Sequence, residues 1–61
     1  MKGKELRAIR DRLRWTQADF AEALGVAPNT IARWERDERR IQPPAEIAIR
    51  AIAAREKAKA R

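Results

Sequence analysis

Apolar positions recur at helical spacing in four segments of the chain, which predicts an all-α fold. In residues 4–14, Leu6, Ile9 and Leu13 stand at i, i+3 and i+7 and form one narrow stripe; Lys4, Arg7, Arg12 and Arg14 occupy the rest of the surface. In residues 17–24, Phe20, Ala21 and Leu24 make a second stripe. In residues 28–36, a turn of about 100° per residue sends Ile31 and Trp34 one way and Asn29, Arg33 and Arg36 the other, with Thr30 at the flank. Residues 44–59 are rich in alanine, the strongest helix former, and predict one long terminal helix.

Local signals mark where the segments begin and end. Thr16 is a good N-cap with Asp19 three residues on, a capping box with Asp in the acidic position. Trp15 and Phe20 are spaced for a hydrophobic staple across that cap. Gly25 ends the segment where a positive φ costs least, Val26 plugs the turn, and Pro28 suits a first helical position. Residues 37–43 read as a loop: Ile41 tucks back into the core, and Pro43-Pro44 disfavours helix before it while permitting helix after it.

The last helix is apolar on two sides. Ile47, Ala48 and Ala51 line one side and are expected to cap the core. Ala45, Ile49 and Ala53 lie on nearly the opposite side, with Ile52 between the two. A helix greasy on two sides usually has two partners. The second partner is expected to be the same helix of another copy, through Ile49, Ile52 and Ala53. The alternative is that the alanines are helix filler and Ile49 a lone exposed apolar residue.

Charge and composition narrow the function. Fifteen Lys and Arg oppose nine Asp and Glu, a net charge of +6, which suits a polyanion but is also ordinary for solubility. Sixty-one residues read as one domain, 1–61, with a marginal core. Cysteine and histidine are both absent, so disulfides, thiol chemistry, Cys/His zinc sites and His-based acid–base catalysis are out of reach. No enzyme, cofactor or metal is expected. The N-terminus lacks the apolar core of a signal peptide, and no apolar run approaches the roughly 18 residues of a membrane span.

Two charges stand apart from the solvated ones. Arg10 projects about 40° from Leu6, and Glu35 about 40° from Ile31, so both border the core, where an unpaired charge is costly. They are expected to pair with each other. Arg14 leads into the capped start of the next helix, which makes it a candidate phosphate contact, and Arg36, on the outer face of 28–36, is another.

Two short helices joined by a glycine turn, on a basic chain, make a helix-turn-helix. The stretch from Thr16-Gln17 through Ala21, Leu24-Gly25-Val26, Thr30-Ile31 and Trp34-Glu35 resembles the lambda-repressor/Cro (XRE-like) family of prokaryotic and phage transcriptional regulators, over about Leu6 to Ile41. The resemblance implies a compact four-helix domain with helix 28–36 as the recognition helix. Asn29, Thr30 and Arg33 would face base edges, and Gln17 would hold a phosphate. In such a fold the loop after the recognition helix runs beside the sugar–phosphate backbone, making Arg39 and Arg40 phosphate candidates. An Arg–Glu tie like Arg10–Glu35 also recurs in the family. The chain departs from the family pattern at Ala27, Pro28 and Asp37, which replace a common Ser/Thr cap, a common polar base reader and a common closing glycine.

The implied function is a double-stranded-DNA-binding regulator, a repressor acting as a homodimer on an inverted repeat in the cytoplasm of a prokaryote. The runner-up is a protein-interaction module of the antitoxin type, whose C-terminal helix binds a partner protein. A membrane-surface helix fits less well, because the basic residues are spread over all helices. RNA binding lacks an aromatic platform, since both tryptophans are placed as structural. The tail Arg55, Lys57, Lys59 and Arg61 either grazes phosphate or solubilises the end.

Overall fold

Four helices form in the computed structural model, which describes residues 1–59: α1 (Gly3–Leu13), α2 (Gln17–Leu24), α3 (Pro28–Glu35) and α4 (Pro43–Lys59). No strand occurs among the described residues. The expected Arg61 of the tail lies outside them. The helix α2 starts on the capping box. Thr16 Oγ1 accepts from the Asp19 N–H at 3.0 Å, and the Asp19 carboxylate accepts from the Thr16 N–H at 2.8 Å. Trp15 and Phe20 close the staple edge to face, with ring centroids 5.3 Å apart.

The first three helices end in the same way, on a left-handed residue: Arg14 at φ 60°, Gly25 at φ 73° and Asp37 at φ 58°. In each case the next N–H reaches back five residues to a carbonyl: Trp15 to Arg10, Val26 to Ala21 and Glu38 to Arg33. Only one of the three caps is a glycine. The first helix therefore stops at Leu13 rather than running to residue 14, because Arg14 has left the helical conformation. Replacing Arg14 with glycine removes the left-handed strain and is expected to stabilise the fold by about 0.5–1 kcal/mol, read in a urea melt. An unchanged or lower midpoint would contradict a left-handed Arg14.

The core is wholly apolar: Leu6 from α1, Phe20 and Ala21 from α2, Ile31 and Trp34 from α3, Ile41 from the loop, and Ile49 and Ile52 from α4. The helices α1 and α2 each pack against both α3 and α4. This corrects the expected register of α4. Ile49 is fully buried and Ile52 nearly so, whereas Ile47 is 70% exposed. Burying a large aliphatic side chain contributes about 1.5–3 kcal/mol. A register that buries Ile49 and Ile52 hides two of them, while the reverse hides only Ile47 with alanines. Ile49 and Ile52 are therefore core residues and unavailable to a second copy; Ala53 is half-buried beside them.

Glycine 3 starts α1 under constraint. A Cβ there would run into the Trp34 and Glu35 carbonyl oxygens and sit 2.7 Å from the Glu35 carbonyl carbon. The Gly3 N–H donates to Asp37 Oδ1 at 2.9 Å, so Asp37 both closes α3 and caps α1. Nearby, the Met1 amine and Arg50 each reach Glu46 at 3.0 Å, and these contacts, the amine foremost, hold the Glu46 carboxyl below the usual carboxylate range. With its pKa depressed in the fold, Glu46 adds stability at neutral pH that is lost as the pH falls through the carboxylate range.

Candidate nucleic-acid interface

Helix α3 owes its orientation to Ile31, which is fully buried, and Trp34, which is 8% exposed. Because these anchors sit on one side, Asn29 and Arg33 face solvent on the other, and Thr30 is half-buried at the edge. Ala27 supplies no side-chain cap, so the α3 start rests on Pro28 at its first turn. Asn29 and Arg33 carry the amide and guanidinium that can each engage a base edge with two hydrogen bonds.

An ion-pair cluster fixes α3 to the rest. Arg10 Nε donates to Glu35 Oε2 at 2.6 Å and Arg10 Nη2 to Glu35 Oε1 at 3.1 Å, a bidentate fork. Arg10 Nη1 donates to the Trp15 carbonyl at 3.0 Å, which ties in the turn before α2. The Arg10 and Glu35 side chains are only 15% and 6% exposed. The Glu35 hydrogen bond is the main reason the Arg10 guanidinium holds its proton more tightly than usual. Gln17 joins the cluster: its amide donates to Glu35 Oε1 at 3.3 Å, leaving one donor free. One carboxylate therefore links α1, α2 and α3.

The remaining candidate cations divide into free and engaged. Arg33, Arg39 and Arg40, and Arg14 at the α1–α2 corner, are exposed and have no carboxylate within 4.0 Å among the described residues. Arg36 is exposed too, but its Nε donates to Glu38 Oε2 at 2.6 Å. That bond, followed by the charges of Arg36 and Arg33, keeps the Glu38 carboxyl below its usual range. Glu38 is thus an acidic residue set among the cations of the exposed face, and the sequence pattern did not single it out. Its only advance signal was its position two residues after Arg36. No group of three or more potential metal ligands is clustered among the described residues, and no helix there is long and apolar enough to cross a membrane.

Asn29 and Arg33 on the outer side of α3, with the Arg36–Glu38 pair beside Arg33, make a mostly cationic surface that suits a polyanion with readable edges. A protein-family model described as helix-turn-helix matches residues 6–54. No curated protein and no solved structure matches the chain significantly.

Proposed function

Because the chain belongs to the lambda-repressor/Cro (XRE-like) helix-turn-helix family of DNA-binding regulators, we propose that it is a sequence-specific repressor that works by occupying its operator in a prokaryotic cytoplasm. The observation that carries this reading is the burial of Ile31 and Trp34, which leaves Asn29 and Arg33 outward and unengaged. In this reading α3 enters the major groove, which admits a helix. Asn29, Thr30 and Arg33 read bases; Arg14, Arg39, Arg40 and the free donor of Gln17 hold phosphates and set register. Two copies sit on an inverted repeat with their recognition helices about 34 Å apart, in successive major grooves. They meet on the duplex, where phosphate offsets the +6 charge of each chain, and not through Ile49 and Ile52.

Selection of bound duplexes from a random pool tests this directly. The expected outcome is an enriched inverted repeat with half-sites one helical turn apart. Recovery of no motif would remove the sequence-specific reading. Arg33→Ala is expected to lose about 1–3 kcal/mol at the selected site and to relax one base position. Arg40→Gln should weaken all sequences alike and reduce the salt slope by about 1.

Glu38 supplies an opposite expectation. Glu38→Gln releases Arg36 and removes a negative charge from the DNA face. Affinity should rise, and the dependence of log K on log salt should steepen by about 0.9 as Arg36 takes up a phosphate. A salt series by fluorescence anisotropy reads both; an unchanged slope would mean that Arg36 does not reach the backbone.

A further inference from the structure

We propose that the seam between α1 and α4 is a docking trough for an acidic amphipathic segment of a partner protein. This proposal does not depend on DNA binding. Ile9 and Leu13 belong to the apolar stripe of α1, yet they stay half-buried. The residues facing them from α4, Ala53 and Ala54, are too small to cover them. The result is an open apolar concavity of about 200 Å³, larger than the roughly 150 Å³ cavity that admits a benzene ring. It has room for a large aliphatic side chain. It continues along α1 past Arg12 in both directions, to Glu5 at one end and Trp15 at the other. At about 1.5 Å per residue this length matches some three turns of a docked helix.

The rim selects the occupant. Arg12, Arg14 and Lys57 are exposed, and none has a carboxylate within 4.0 Å among the described residues. Glu5 and Glu56 also line the trough, but each is already paired, Glu5 with Arg50 at 3.5 Å and Glu56 with Arg55 and Lys59 at 3.6 Å, so the unpaired charge of the rim is positive. The same rim runs into the outward stripe of α4, where Ile47, 70% exposed, precedes Ala51 and Ala54. Arg50 and Lys57 flank that stripe on one side and Arg55 on the other. Arg50 and Arg55 are held by Glu46 and Glu56 of the chain itself, which leaves Lys57 as the unpaired cation of the stripe, and a second copy laid on this surface would bring it no carboxylate that is not already engaged. A phosphate backbone would use the cations but leave the apolar floor wet. An amphipathic helix with one aliphatic residue per turn and carboxylates beside it satisfies both the floor and the rim.

The test uses the full chain and a synthetic helical peptide of about three turns, leucine at every third and fourth position and glutamate elsewhere, with a lysine-for-glutamate twin. The expected result is saturable binding of the acidic peptide, with amide shifts confined to residues 5–15 and 50–57, and no binding of the twin. The double variant Arg12→Glu, Lys57→Glu alters two exposed residues, so it keeps its circular dichroism spectrum while peptide affinity drops about tenfold. Ala54→Glu, also exposed, should weaken the peptide as well, whereas Arg33→Ala should leave it unaffected. Shifts that fall instead on residues 29–40 would show the peptide acting as a generic polyanion and overturn the proposal. So would unchanged affinity in the double variant, or sedimentation showing that the chain self-associates through this seam.

Discussion

Gly3→Ala is expected to be the most damaging single-methyl change in the chain, lowering stability by about 2–4 kcal/mol. The added Cβ meets backbone, the carbonyls of Trp34 and Glu35, and not the movable end of a side chain. To relieve the overlap α1 must lift off the end of α3, which stretches the Gly3 N–H bond to Asp37. Against this, alanine is the better helix former by about 1 kcal/mol, so propensity alone predicts the opposite sign. A domain of this size has only about 3–9 kcal/mol in total, at roughly 0.05–0.15 per residue. The variant should therefore be partly unfolded near room temperature and bind DNA poorly for that reason. A urea titration followed by circular dichroism measures it. A midpoint equal to or above the parent's would mean that α1 does not begin against those carbonyls.

Glu35→Gln is the second large effect. The Arg10 guanidinium and its partner are both shielded from water, and breaking a buried pair by removing one charge costs about 3–5 kcal/mol. Glutamine keeps an acceptor toward Arg10, so the expected loss is about 2–3 kcal/mol, or a fall of about 10–20 °C in Tm for so small a domain. The pH behaviour identifies the cause. The folded-state pKa of Arg10 is raised, so the stability it contributes is fully present below the ordinary arginine range and is lost only far into alkali. The gap between parent and variant should then be flat across neutral pH. Replacing both partners, Arg10→Met with Glu35→Leu, should recover much of the loss, since no buried charge is left alone. If the single variant melts with the parent, the pair does not hold α1 to α3. Gln17 also bonds Glu35, so a folded remainder of the variant should bind DNA somewhat more weakly.

The elements were legible in the sequence where the signal was local. The capping box at Thr16, the staple of Trp15 and Phe20, the stop at Gly25 and the inward Ile31 and Trp34 each depend on residues within a turn or two of one another. The left-handed Asp37 was legible only through the family resemblance, as the residue standing where a glycine commonly closes the recognition helix. What Asp37 grips was not, because its side chain bonds an N–H 34 residues away. Gly3 gave no signal at all: its constraint comes from a helix end that passes close by. The α4 register failed for a related reason. Ile47, Ile49 and Ile52 allow two inward faces, and only the surfaces of α1 and α2 choose between them.

Chain order alone settled the four helices, the caps at the two ends of α2, the apolar side of α3 and the basic charge that its opposite side shares, because these follow from spacing, capping chemistry and composition. Tertiary packing alone decided that Ile49 and Ile52 go inward, that Gln17 joins the Arg10–Glu35 pair that helical projection suggests, that Glu38 occupies Arg36, and that Ile9 and Leu13 stay half-open. Those outcomes depend on how far apart the helix surfaces come to rest, and side-chain size on the facing helix sets that distance.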